Sequence, residues 1–164
     1  MAKYEYRGKN TVMFQRLPGY KNIAAWQAAS DLSVMVSQLA RRFGPGYYKL
    51  ADQMRTAAVS VHGNIAEGYC SGTLPNYIRY CHLAHGSLGE LGSYFQDCER
   101  DGLTAGDELT ALTKQYSTSL FLLERLLQAL IQKDQTGDWD KSYNVREDRA
   151  PYLTDADSDP DLPE

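Results

Sequence analysis

Three histidines, two carboxylates and a run of spaced glycines are the residues whose types and spacing can support chemistry in this 164-residue chain. His82 and His85 stand at i and i+3, a spacing that places both imidazoles on one helix face, with His62 as a third ligand candidate from an earlier segment. Metal centres built inside bundles use Glu-x-x-His pairs, but the residue three before His82 is Arg79. The histidines are therefore expected to be core or interface residues rather than ligands, and no metal or cofactor is implied. Glu67 in "NIAEGY" and Glu90 in "GSLGELG" lie in apolar surroundings. A pair of buried acids can do general acid/base work, but such groups more often accept hydrogen bonds from nearby amides or pair with arginine. Arg55 and Arg79 are at hand on the adjacent segments, so structural pairing is expected and no catalytic residue is assigned.

The glycines lie in "HGSLGELG", where Gly86, Gly89 and Gly92 recur every three residues. A dinucleotide-binding loop needs G-x-G-x-x-G after a strand, and a nucleophile elbow needs G-x-S-x-G; the spacing here fits neither. A glycine inside a helix costs about 1 kcal/mol relative to alanine. Three of them suggest a face stripped for close approach of another helix, within or between subunits, with simple tolerance as the alternative.

Four segments must position these residues. In "NIAAWQAASDLSVMVSQLARRF", Trp26, Ala29, Leu32, Val36, Leu39 and Phe43 follow the 3–4 period of one helix face, and "GPG" at 44–46 ends it. "YYKLADQMRTAAVSVHGNIAEGY" carries Leu50, Met54, Ala57, Val61 and Ile65 and should end near Gly68. The third helix starts at Thr73 as cap with Pro75 in its first turn, and Ile78, Cys81, Ala84, Leu88, Leu91, Phe95 and Cys98 carry its stripe to "RDG". The fourth begins at Thr104, three residues before Asp107 in a capping-box pattern. Its stripe is Leu109, Leu112, Tyr116, Leu120, Leu123, Leu127 and Leu130. Similar lengths and short connections predict an all-α, antiparallel up-down four-helix bundle.

The expected organisation is an extended arm over 1–21, the bundle over 22–133 and a polar, acidic tail over 134–164. The arm is expected to pack on the bundle or on a neighbouring subunit. Residues 150–164 contain five acids and no base, so the formal charge of −4 for the whole chain leaves +1 for the rest. Such a tail reads as solvating, or as an interaction peptide. No apolar run approaches the roughly 20 residues of a membrane span, and "MAKYEYRGKN" lacks the apolar core of a secretory signal. A cytoplasmic protein is expected. Cys70, Cys81 and Cys98 form no C-x-x-C pair and read as packing residues.

The runs "QMRTAAVSVHGNIAEGY" and "NYIRYCHLAHGSLGEL" resemble the signature of a bacterial four-helix-bundle family. It includes the large-subunit ribosomal RNA intervening-sequence proteins and the accessory variability determinants of diversity-generating retroelements. Its members carry a Q-I-R-R-A-A-V-S-I-x-x-N-I-A-E-G core and an F-I-R-F-L-x-I-A-x-G-S-L-x-E-L core, and the resemblance runs from about Trp26 to Leu130. It implies a homopentamer with no known catalytic site and, in the retroelement branch, a reverse transcriptase and its template RNA as partners. The matched positions are Arg55, Asn64, Glu67, Gly68, Arg79, Gly86, Ser87 and Glu90. They are expected to hold the bundle together, with Asn64 and Glu67 satisfying the loop after Gly68. Two departures stand out: Thr56 replaces the family's second Arg, and "YCSGTLPNY" after the E-G has no Lys or Arg.

The resulting expectation is a non-catalytic oligomeric adaptor. Its Arg41, Arg42, Lys49, Arg55 and Arg79, repeated around a ring, would form a basic surface for RNA or a nucleic-acid enzyme. The alternatives are an intervening-sequence-type protein, or a protein-only scaffold ring that binds through Tyr47, Tyr48, Tyr69 and Tyr77 or through the acidic tail.

Overall fold

The computed structural model describes residues 19–137 and Trp139. Four α-helices follow one another: α1 (Ala24–Ala40), α2 (Tyr48–Cys70), α3 (Leu74–Arg100) and α4 (Gly106–Thr136), with short 3₁₀ turns at Gly19–Asn22 and Pro45–Tyr47. Each helix packs against its neighbours in the cycle α1–α2–α3–α4–α1, the most extensive contact being between α2 and α3. Neighbours run in opposite senses. Across α1 and α4, Arg42 meets Glu108 while Gln115 reaches Ala28; across α2 and α3, Cys98 meets Met54 while Ser87 meets Ser60. The described residues therefore form the expected antiparallel four-helix bundle.

The apolar stripes read from the sequence make the core. Leu32, Val36, Met54, Val61, Ile65, Cys81, Leu88, Leu91, Leu112 and Leu123 are fully buried; Trp26, Leu50, Ile78 and Tyr116 pack against them while partly exposed. Cys81 and Cys98 are packing residues as expected. Burial pushes their thiols up, Cys81 to about 12 and Cys98 to about 11, and the Cys98 thiol points at the Met54 sulfur at 3.5 Å.

Three boundaries differ from the sequence reading. α1 ends at Ala40 rather than at Phe43, because the amides of Arg42 and Phe43 bond three residues back, to Leu39 and Ala40. That tighter final turn swings Phe43 into the core. At the start of α4 the cap position is Ala105, and Thr104 donates to Glu108 at 3.2 Å rather than working with Asp107. At the start of α3, Thr73 occupies the cap and Pro75 the first turn, but the Thr73 hydroxyl makes no capping bond. α4 itself continues three residues past 133, to Thr136. Of the expected arm only residues 19–21 lie within the described residues, in the 3₁₀ turn Gly19–Asn22 that packs on α1 and α2. Residues 1–18 and the acidic tail beyond Trp139 lie outside them.

The end of α3 has a specific device. Gly102 takes a left-handed φ of +66°, its amide bonding Glu99 while the Leu103 amide reaches back to Cys98 at 2.8 Å, the Schellman pattern. A β-carbon there opposes the left-handed geometry, so Gly102→Ala is expected to cost about 1–2 kcal/mol, read as a lowered urea midpoint at unchanged slope.

Candidate functional site

The residues singled out for chemistry do not converge on a catalytic centre. His82 and His85 are exposed on α3; His85 faces Glu124 of α4 at 3.6 Å. His62 is half-buried between α1 and α2, edge-on to Trp26 with ring centroids 6.0 Å apart. No group of three or more His, Cys, Asp or Glu side chains that could hold a metal occurs among the described residues. Burial lowers the His62 pKa from its usual 6.5. The unfolded chain therefore binds this proton more readily than the folded one. The stability this site contributes is complete above pH 6.5 and declines as pH falls below it toward the folded value. A melting temperature that drops between about pH 7 and pH 5, with the drop reduced in His62→Gln, is the expected outcome.

The family-matched polar residues do come together, but on the outside. Ser60 and Asn64 project from α2 and Ser87 from α3 into the outer groove between these helices. The Ser87 hydroxyl donates to Ser60 at 3.0 Å, and the Asn64 amide donates to the Ser60 hydroxyl at 3.0 Å and to its carbonyl at 2.8 Å. This small network fixes the level of α2 against α3. Exposed Glu67 accepts from the Tyr80 hydroxyl, which raises the tyrosine's pKa, while Arg79 lies over the Tyr80 ring at 4.5 Å. Exposed Glu90 accepts from Tyr94 at 2.6 Å. Two expectations are corrected here. The carboxylates are partnered by tyrosine hydroxyls rather than by Arg55 and Arg79, and Arg55 faces Asp52 at 3.7 Å. Nor does Asn64 serve the loop, since Ser71 bonds the Gly68 carbonyl instead.

The glycines divide. A β-carbon on Gly92 would stand 2.7 Å from the Tyr116 hydroxyl of α4, so close approach within the protomer holds there. A β-carbon on Gly86 or Gly89, or on Gly63 of α2, would meet no atom of another part of the fold within 4 Å. α2 and α3 approach closely at Gly68, where a β-carbon would meet Tyr77 and Tyr80 at 2.8 Å and the Tyr77 carbonyl at 3.2 Å. From sequence alone Gly68 reads as a helix end; its packing role shows only once α3 folds back.

The basic residues are split between the two ends of the bundle. Arg41 and Arg42 follow α1, and Lys49 and Arg55 open α2, whereas Arg79 lies beside the far end of α2. From Lys49 to Gly68 the rise is ~28 Å. At the first end Arg42 pairs with Glu108, which lowers the carboxyl's pKa. Both partners are about half exposed, so the pair contributes little, and Arg42→Ala is expected to cost under ~1 kcal/mol in a denaturant titration. Arg41 and Lys49 are exposed with no ion-pair partner among the described residues. Asp52, Asp97, Glu99, Asp101, Asp107 and Glu108 share that end of the bundle. Of the tyrosines expected to be exposed, Tyr48 is. Tyr77 is buried edge-on to half-buried Tyr69, with centroids 6.1 Å apart, and its pKa is raised by burial.

Residues 21–125, from the first 3₁₀ turn through most of α4, match the family model of the 23S rRNA-intervening sequence proteins. The chain belongs to that family. A search of curated proteins gives no match. The intervening-sequence family assigned from "AAVS", "NIAEG" and "GSLGEL" thus stands. Within this family member, Asn64, Glu67, Gly86, Ser87 and Glu90 line or border one outward groove, while Ala57, Ala58, Ile65 and Gly68 of the same α2 runs are buried. No helix among the described residues is long and apolar enough to cross a membrane.

Proposed function

We propose that this chain is a non-catalytic, homo-oligomeric adaptor that holds RNA, or an enzyme acting on RNA, at its surface. The observation that carries this reading is the position of the signature. A bundle needs its core stripes to fold, but Glu67, Gly86 and Glu90 contribute nothing to that core. Side chains and gaps arranged on an outer groove serve contact with something outside the protomer. Glu67 and Glu90 stand ~15 Å apart along the bundle and each accepts from a tyrosine, an arrangement suited to recognition rather than to sharing one proton transfer.

The finer form of the reading is a five-membered ring with a reverse transcriptase and its template RNA as partners, supported by the resemblance to retroelement accessory proteins. Repetition around an axis would multiply Arg41 and Lys49, which have no ion-pair partner among the described residues, into a basic rim. A cytoplasmic location fits such partners. The six acids at the same end favour a second reading, a protein-only scaffold. Salt dependence separates the two: RNA binding measured by filter retention should fall steeply from about 50 to 200 mM salt, whereas a protein contact made through apolar surface should change little over that range.

A further inference from the structure

The outward faces of the bundle carry two exposed patches; in the first, Glu67 and Glu90 each accept from one tyrosine hydroxyl, and neither has an ion-pair partner among the described residues. The first is the α2–α3 groove. Its floor opens at Gly63 and Gly86, where a β-carbon would find no atom of another part of the fold within 4 Å. It is flanked by Val59 and Leu83, 51% and 47% exposed. Because Ser60 and Ser87 are level, Glu90 lies three positions to one side and Glu67 seven to the other, giving ~15 Å between them along the axis. Gly63 and Leu83 sit between the two, ~6 Å from Glu67 and ~10 Å from Glu90 by the same rise.

The second patch is the outer side of α4. Phe121 is 57% exposed, the Arg125 guanidinium lies 5.8 Å from its ring centre, and Lys114 is exposed two turns earlier. Neither cation has a carboxylate partner among the described residues, and nearby Glu124 faces His85. Lys114 and Arg125 are ~16 Å apart along the helix, with Phe121 ~6 Å from Arg125 and ~10 Å from Lys114. The order and spacing match the groove: cation, ring, cation against carboxylate, gap, carboxylate.

We infer that these patches are the two halves of one interface between copies of this chain. Phe121 of one copy seats over Gly63 beside Leu83 of the next, with Arg125 at Glu67 and Lys114 at Glu90. In this register the incoming α4 runs parallel to α2, the same sense as within a protomer, so neighbouring copies stand with their axes aligned. The contact is heterologous, each copy offering a different patch to each neighbour, which is the kind that closes into rings. The glycines leave room for the ring of Phe121, and the charges at either side fix the register. The inference rests on the homo-oligomeric reading above and assigns it a surface.

Sedimentation velocity on the full chain tests it, with wild type, Phe121→Asp, Arg125→Glu and the pair Arg125→Glu with Glu67→Arg. All three positions are exposed, so the helical circular dichroism should not change. The expected result is an oligomer for wild type and a monomer for Phe121→Asp. Arg125→Glu should weaken assembly tenfold or more, and adding Glu67→Arg should restore it. An intact Phe121→Asp oligomer overturns this interface while leaving the oligomeric reading in place. If that intact oligomer has lost co-purifying RNA, the α4 patch belongs to nucleic acid and the interface is likewise overturned. A wild-type monomer at high concentration overturns both.

Discussion

Gly68→Ala is expected to destabilise the bundle by about 2 kcal/mol, while Gly86→Ala is expected to stabilise it by up to about 1 kcal/mol. The same substitution at two signature glycines thus has opposite signs. At Gly68 the added methyl meets the Tyr77 ring and the Tyr80 β-carbon at 2.8 Å, and the Tyr77 carbonyl at 3.2 Å. A backbone oxygen and a β-carbon yield only if α3 moves as a whole, and overpacking of that kind typically costs about 1–3 kcal/mol. α2 and α3 share the most extensive contact in the fold, so displacing one from the other is felt along the length of both. At Gly86 the added methyl meets no atom of another part of the fold within 4 Å, and the helix gains the intrinsic preference of alanine, worth about 1 kcal/mol. Urea denaturation of the two variants, monitored by helical circular dichroism, reads both signs. Equal effects would mean that the α2–α3 crossing is not where the fold places it.

The second large effect concerns binding. Arg41→Glu combined with Lys49→Glu is expected to reduce RNA affinity at least tenfold at about 50 mM salt, on the order of 1.4 kcal/mol. The salt slope should become shallower by about one for each phosphate that is no longer neutralised. These two cations are exposed and have no ion-pair partner among the described residues, so their replacement leaves the fold intact. Arg42 is the internal control. Its guanidinium is engaged with Glu108, so Arg42→Glu should affect RNA binding less than either neighbour does. Binding that survives the double reversal with an unchanged salt slope would shift the function to the protein-only scaffold.

What is legible in the residues and what is not follow from one physical distinction. Periodicity reports which side of a helix faces inward, and the stripes through Leu32, Met54, Leu88 and Leu123 lie in the core as the spacing requires. Pairings on the outer faces depend on how far one helix slides along its neighbour, which no single stripe encodes. That is why Glu67 and Glu90, expected to meet arginines, instead accept from Tyr80 and Tyr94. Tyr94 is one turn from Glu90 on the same helix, an i, i+4 pair that the sequence does contain. The same limit explains Gly68, whose neighbours come from the other side of a tight connection. It also explains the ends of α1 and α4, where local amide bonds at Phe43 and a longer reach from Thr104 to Glu108 decide the boundary. The five arginines and lysines illustrate the point at larger scale. Grouped as one basic surface in the sequence reading, they separate once Arg79 is placed at the far end of α2.

A family member that assembles and carries RNA, or an RNA-associated enzyme, should keep both features through purification. Native mass spectrometry on protein purified without nuclease tests this most directly. The expected spectrum shows a multiple of the 18.4 kDa chain, five copies in the finer reading, with additional mass that ribonuclease removes. A bare 18.4 kDa monomer with no associated nucleic acid or protein would contradict the adaptor function and the assembly together.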